Sequence, residues 1–300
     1  MNNDDRFADI LIIGSGAAGC ACALEAAKAG LKVILITGAT EPDNSSTDRA
    51  QGGIIGRPEA DSPEALAADI LQTGDGLSDP AAVKLLAEEG PALVHGLLVE
   101  DLGVDFSRDD AGRLDMAKEA AHSIRRILHV DDTTGHAIQQ SLLARLSSLE
   151  NVRLLTGHTA VDLITIPHHA VSPLAIYGPV ECLGAYVLNR EDGEIARFLA
   201  PNTVLASGGL GQIYLHTTNP SRARGDGLAM AWRAGAQILN AEYVQFHPTA
   251  FYHRDADRFL ISESLRGEGA RLRTRRGEFF MSEYHPLGDL APRDVVARAI

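Results

Sequence analysis

Side chains able to do acid–base or anion chemistry gather in four stretches of the chain. Glu119-Ala120-Ala121-His122-Ser123-Ile124-Arg125-Arg126-Ile127-Leu128-His129 mixes acid, base and imidazole in one short run. Gln245-Phe246-His247-Pro248-Thr249 sets an imidazole before a proline, which forces extended backbone at His247. Ser262-Glu263-Ser264-Leu265-Arg266-Gly267-Glu268-Gly269 and Pro292-Arg293-Asp294 bring guanidinium groups near acids, and arginine's planar fork suits bidentate carboxylate recognition. Ser46-Thr47 with Ala50-Gln51-Gly52-Gly53 offers hydroxyls and bare backbone N–H groups, good partners for phosphate or ring oxygens of a cofactor. Taken singly, each has a plainer alternative: a solvated charged face, a structural histidine, surface ion pairs or a polar turn.

These groups need a scaffold, and the first forty residues supply its clearest part. The apolar run Ile10–Ile13 enters Gly14-Ser15-Gly16-Ala17-Ala18-Gly19, continues as an alanine-rich helical pattern from Cys20 to Ala29, and meets a second apolar run at Val33–Ile36. Strand, glycine turn, helix and strand is the setting in which GxGxxG means dinucleotide binding. Gly14 permits the tight turn, Gly16 lets the backbone approach a pyrophosphate, and Gly19 lets the helix pack on its strand. Free N–H groups at the helix start then face the phosphates. The acid that ordinarily binds the ribose is missing: the strand ends Ile36-Thr37-Gly38, and the first acid is Glu41. A hydroxyl or backbone contact must take its place. That weakens NAD more than FAD, because FAD proteins hold the cofactor from several distant segments.

Downstream, Ser62-Pro63-Glu64 caps a helix to about Thr73, and Asp79-Pro80 starts another, expected to break near Gly90-Pro91 and to end at Gly103. Thr134–Leu149 reads as a helix and Val152–Leu155 as a buried parallel strand. Residues 160–199 read as an antiparallel meander, Thr203–Ala206 as a parallel strand running into Ser207-Gly208-Gly209, and Gly225-Asp226-Gly227 as the opening of a helix to Ala234. The fold class expected is α/β, a Rossmann-type parallel sheet with an antiparallel meander, plus the start of a smaller α+β capping domain. Residues 1–238 are expected to form the first part of the cofactor domain and 239–300 the capping domain. The helical pattern at Pro292–Ile300 stops without cap or polar tail, so a longer polypeptide is expected.

With 27 Lys and Arg against 40 Asp and Glu, the formal charge is −13. Such a surface repels phosphate backbones and anionic lipid, excluding nucleic acid and membrane surfaces as partners. No apolar run approaches the roughly eighteen residues of a spanning helix, and Met1-Asn2-Asn3-Asp4-Asp5 lacks the regions of a signal peptide. Three cysteines, with no CxxC and no HExxH, point to a reduced, cytoplasmic protein without metal, its cysteines packed in the core.

In order, GSGAAG, STxxAQGG, HSxRRILH, GDGxAMAWRAG, QFHPT, LRGEG and LAPRD resemble the succinate dehydrogenase/fumarate reductase flavoprotein family from about Asp9 to Ile300. The resemblance implies FAD and a four-carbon diacid. Membrane-bound members attach FAD through a histidine where this chain has Ser46, so FAD is expected to be non-covalent. Glu119 falls where the members that oxidise L-aspartate carry a glutamate facing the substrate ammonium; a carboxylate there favours an amino acid and repels a simple dicarboxylate.

The resemblance assigns Gly14, Ser15, Gly16, Ala17, Ala18 and Gly19 to the pyrophosphate and Thr37 to the adenosine ribose. Ser46, Thr47, Ala50, Gln51, Gly52 and Gly53 fall to the phosphates and isoalloxazine, Ala160 to the adenine side, and Asp226 to the ribityl or phosphate region. Gln245, His247 and Ser262 would bond substrate carboxylates. Arg293 would act as carboxylate clamp and proton-transfer group, with Glu263 and Arg266 as its relay. Ser262 replaces a family threonine and keeps the hydroxyl, while Ala120-Ala121 replaces a frequent Gly-Gly and would shift the backbone aiming Glu119. The implied reaction is oxidation of L-aspartate to iminoaspartate with O2 or fumarate as acceptor, the entry to NAD biosynthesis, with quinolinate synthase as the partner taking the imine. A soluble fumarate reductase or succinate oxidase, and a catalytically silent flavin-binding fragment, are the alternatives.

Overall fold

The computed structural model describes residues 6–119, 122–255 and 258–300. Met1–Asp5, read as no signal peptide, and Ala120-Ala121, read as shifting Glu119, lie outside them. The chain divides into two compact units, each built from two stretches: Met1–Arg49 with Ile138–Tyr243, and Ala50–Ala137 with Val244–Ile300.

In the first unit, β1 (Ile10–Ile13), β2 (Val33–Ile36) and, late in the chain, Val152–Leu155 and Asn202–Leu205 form a four-stranded parallel sheet. Asn202–Leu205 pairs with β1 on one side; β2 pairs with β1 on the other and with Val152–Leu155 beyond. The order therefore reverses direction at β1, the switch point at which open α/β sheets bind ligands beyond the strand ends. All four β2 residues are buried, as a strand covered on both faces requires.

α1 (Ala17–Lys28) packs on β1 and β2. Its buried residues are small except for Leu24: Gly19, Cys20, Ala23, Ala26 and Ala27. Cys20 is wholly buried, its Sγ 3.1 Å from the Ser15 carbonyl oxygen, and burial pushes its thiol pKa up to about 11. Leu11, Ile13, Ile34 and Ile36 point to the other face and share one core with the antiparallel meander. Its strands are His158–Ile166, Glu181–Asn189 and Ile195–Leu199, paired in chain order. Ala185, Val187 and Phe198 from the meander and Met230 from the helix Asp226–Arg233 complete that core.

In the second unit, Pro63–Thr73 begins on Ser62, whose Oγ accepts from the Ala65 N–H at 3.2 Å. Pro80–Val94 begins on Asp79, which accepts from Ala81 and Ala82. The expected break at Gly90-Pro91 does not occur: the helix runs on to Val94 and continues as a wider π-type turn over His95–Asp101. The reason is a donor from another segment. Proline lacks the N–H that would bond the carbonyl four residues back, and Arg57 Nη2 donates to that carbonyl, Ala87 O.

A small antiparallel sheet joins Ile54–Ile55, Ile127–Leu128 and Met116–Ala117. Residues 249–251 pair with 259–261 through Phe251 N to Phe259 O at 2.9 Å and Ile261 N to Thr249 O at 3.2 Å. The unit closes with Arg293–Ala299, seated on Met281 and Ala291 through Val296. No helix among the described residues is long and apolar enough to cross a membrane.

Candidate functional site

The first unit holds a cavity of about 300 Å3 at the carboxyl ends of its parallel strands, where Ile13, Ile36 and Ala206 stand. Gly14, Ser15, Gly16, Ala17 and Ala18 line it. Gly19 sits behind them, and a Cβ there would collide with the Gly14 carbonyl. Gly14, at φ +119°, approaches Ala206 so closely that a side chain has no room. These are the turn and packing roles that the glycine spacing predicts. α1 has no acidic side chain in its first turn, so its positive end is left for an anion. Thr47 Oγ1 accepts from the Ala17 N–H at 3.0 Å, holding the Ser46-Thr47 segment against the glycine turn.

Thr37, Ser46, Thr47, Ala160 and Asp226 all line the same cavity. Side chains that sequence reasoning missed stand with them. Gln139, fully buried, donates from Nε2 to the Ser15 carbonyl at 2.8 Å and accepts from Ser45 Oγ at 3.1 Å, tying two cavity walls together. Ser207, Gly208 and Gly209 supply open backbone, and Arg222 supplies charge. A glycine-rich turn directly after a parallel strand was the available signal for the first three. Arg222 had none.

Ala50, Gln51, Gly52 and Gly53, by contrast, belong to the second unit. There Gly53 packs on Ile127 and Leu128, and its N–H bonds the Glu119 carboxylate, while a Cβ on Gly52 would lie 3.1 Å from Glu119 Oε1. Gln51 Oε1 is buried with no hydrogen-bond partner.

Arg293 organises the rest of the second unit's polar cluster. Its Nε engages Glu263 Oε2, its Nη1 donates to Gln245 Oε1 at 3.3 Å, and its Nη2 lies 3.8 Å from Glu119 Oε2. Glu263 also faces Arg266 Nη2 at 3.8 Å, and Arg266 Nη1 donates to the Asp289 carbonyl at 2.7 Å. Ser262 is half-buried directly before Glu263. His247 is half-buried, its Nδ1 2.8 Å from Thr249 O and 3.2 Å from Thr249 N.

Burial holds His247 below the usual imidazole pKa, and the charge on Arg293 adds to the effect. Burial also raises the Glu119 carboxyl; the Arg293 charge works against that rise, and repulsion from Glu263 adds a smaller push in the same direction as burial. His247 Nε2 and Arg266 Nε and Nη2 are buried polar atoms with no hydrogen-bond partner among the protein's own groups, so a ligand or water can pair them. Two arginines, two glutamates and a neutral imidazole cancel in charge, so an incoming anion favours the imidazolium form of His247.

Beside the cluster, Arg126 is wholly buried. It bonds Asp61 through Nε at 2.9 Å and Nη2 at 3.0 Å, and Asp69 through Nη1 at 2.5 Å. Its Nη1 is 3.1 Å from His122 Nδ1. Arginine only donates, so that nitrogen accepts and the His122 proton sits on Nε2. Burial, then the Arg126 charge, holds His122 below the usual imidazole range. Thus the HSxRRILH run resolves into a buried ion network carrying the segment that begins at Glu119.

Residues 9–300 match the family described as FAD binding domain. The chain belongs to that family. It is 48% identical to an L-aspartate oxidase of Halobacterium salinarum over 99% of this chain and 56% of that protein. It is 44% identical to one of Pseudomonas aeruginosa over 97% of this chain and 54% of that protein. Among solved structures it resembles an E. coli quinol fumarate reductase, with TM-score 0.86 and 27% identity over 98% of this chain and 50% of that one. The chain spans about half the length of the curated relatives it matches.

FAD fits the first unit on its own geometry. The positive end of α1, with no acid in its first turn, the glycines pressed against Ala206 and the hydroxyls of Ser46 and Thr47 form a cradle for a pyrophosphate. Cys20 packs beneath it, so the FAD-binding family's turn rests on small side chains.

Proposed function

We propose that the protein to which this chain belongs oxidises L-aspartate to iminoaspartate, with O2 or fumarate as final acceptor, as the first step of NAD biosynthesis. The observation that carries this reading is the pairing of Glu119 with Arg293 in one cluster with Gln245 and His247. A carboxylate beside a carboxylate clamp suits a substrate bearing an ammonium between two carboxylates, and repels a plain diacid. The aspartate oxidases among the similar proteins support it.

Bound FAD supplies hydride acceptance. The chain's own residues orient the substrate: Arg293, Gln245 and Ser262 hold carboxylates, and His247 donates from Nε2 once protonated. Glu119 receives the ammonium, and Glu263 sits between Arg266 and Arg293 as the carboxylate through which a proton would reach or leave Arg293. Holding the reacting atoms in line supplies a large part of the barrier reduction.

Ser46 carries no imidazole, so FAD is held non-covalently, with Gly14–Gly19, Thr37, Ser46, Thr47, Ala160 and Asp226 of the first unit as its cradle. Residues 1–238 count as the first part of the FAD-binding domain and 239–300 as the start of a capping domain. The imine is unstable in water, so a cytoplasmic consumer such as quinolinate synthase is the expected partner.

The fumarate reductase likeness favours a second reading, reduction of fumarate without use of Glu119. One experiment separates the two: the flavin spectrum of the full-length protein is recorded anaerobically before and after L-aspartate, then after succinate. Bleaching by aspartate alone is expected; bleaching by succinate alone would replace the proposal with the second reading. A yellow pellet after acid precipitation would overturn the non-covalent assignment.

A further inference from the structure

The ribose end of the first unit's cavity carries cations where dinucleotide folds ordinarily carry an acid. β2 ends at Ile36 and runs into Thr37 and Gly38, the place from which an Asp or Glu reaches ribose hydroxyls. Here the Arg222 guanidinium arrives from far along the chain and presses on Gly38, so that a Cβ there would collide with Nη1. The same Nη1 donates to Thr159 Oγ1 at 3.4 Å. Arg190 reaches the turn as well, its Nη1 donating to the Gly38 carbonyl at 3.4 Å. Burial, then repulsion from Arg190 and Arg224, holds Arg222 below the usual guanidinium pKa, and Asp226 only partly relieves it.

Among the described residues, none of these three arginines has a carboxylate within ion-pair distance. In a chain of formal charge −13, Arg222 lining the cavity without a carboxylate in ion-pair distance, with Arg190 bonded to the Gly38 carbonyl of its wall, marks a site for an anion. Arginine cannot accept from a ribose hydroxyl; it donates, and its fork matches phosphate oxygens. Exchange of the ribose acid for an arginine is also what separates recognition of a 2′-phosphorylated ribose from a plain one.

We propose that Arg222, with Arg190 beside it, makes the adenosine end of the cradle an anion site that binds adenine nucleotides phosphorylated on the ribose 2′ position, in competition with the AMP half of FAD. The inference rests on reading the cavity as the FAD cradle, and its test keeps the two apart.

Flavin-free full-length protein is titrated with FAD, following the quenching of flavin fluorescence. The bound FAD is then competed with 5′-AMP or with 2′,5′-ADP, which differ only in the 2′-phosphate. The expected result is at least about tenfold tighter competition by 2′,5′-ADP at low salt, shrinking as salt rises. Arg222→Gln should bring the two nucleotides near parity, and Arg190→Gln should narrow the gap. Equal competition by the two nucleotides in wild-type protein that binds FAD overturns the proposal. A preference that survives Arg222→Gln overturns the assignment to Arg222. Failure of wild-type protein to bind FAD overturns the reading of the cavity itself. The comparison in wild-type protein decides the matter even if a variant does not fold.

Discussion

Arg293 Nη2 stands 3.8 Å from Glu119 Oε2, too far for a hydrogen bond, while its Nε engages Glu263 directly. One guanidinium is therefore held firmly on its buried side and loosely on the other. The side chain of Glu263 is 8% exposed and that of Arg293 33%, so the free edge of the fork is the part a ligand can reach. A substrate carboxylate can take the place that Glu119 only half occupies, leaving Glu119 to a cation.

Glu119→Gln keeps shape and removes charge. Turnover of L-aspartate should fall by the worth of a hydrogen bond to a charged group, about 1.5–3 kcal/mol, or roughly ten- to a hundredfold in kcat/KM. Fumarate reduction should be spared. Steady-state kinetics with both substrates check this, and equal loss of the two activities would end the ammonium role of Glu119.

The same residue sets a pH dependence. Its carboxyl is raised by burial and by Glu263, so it binds its proton at higher pH than a free glutamate, and only the ionised form attracts an ammonium. Aspartate affinity should decline as pH falls through that raised value, and binding should drive the proton off. Calorimetry in buffers of different ionisation enthalpy reads the released proton. That acid-side loss should disappear in Glu119→Gln.

Arg126 is the linchpin of a buried network with Asp61 and Asp69. Arg126→Leu leaves two buried carboxylates without their cation, a change worth about 3–5 kcal/mol. Urea midpoints should drop accordingly. Replacing Arg126 together with Asp61 and Asp69 by apolar residues should recover much of the loss, because no buried charge is then unpaired.

Arg57 and Pro91 form a testable pair through Ala87. Arg57→Ala orphans the Ala87 carbonyl and should cost about 1–3 kcal/mol. Pro91→Ala restores the N–H that an α-helix would itself supply to that carbonyl. The double variant should therefore lose less than Arg57→Ala alone, and urea denaturation of the four proteins measures the coupling. Simple additivity would show that Arg57 does not stand in for the missing donor.

Local signals carried far in this chain. The strand–glycine turn–helix–strand opening, the caps at Ser62 and Asp79, the meander and the return of a parallel strand at Asn202–Leu205 follow from periodicity and turn chemistry, which neighbouring residues decide among themselves. Gly14, Gly16 and Gly19 were legible from their spacing between strand and helix, and a Cβ at Gly19 meets the Gly14 carbonyl close by, whereas the press of Ala206 on Gly14 comes from far along the chain. Pro91 was misread because the compensating donor, Arg57, lies in another segment, where no local rule can see it.

What tertiary structure alone decided is which distant charges meet. Sequence placed Gly52 and Gly53 in a phosphate-friendly turn, but only packing sets them against Glu119. It found no acid after β2, but not that Arg222 and Arg190 take its place, nor that Gln139 ties the glycine turn to Ser45. Period and capping are short-range and leave marks on adjacent residues. Ion pairs and desolvation depend on separations in space, which the chain acquires only once its apolar faces have closed.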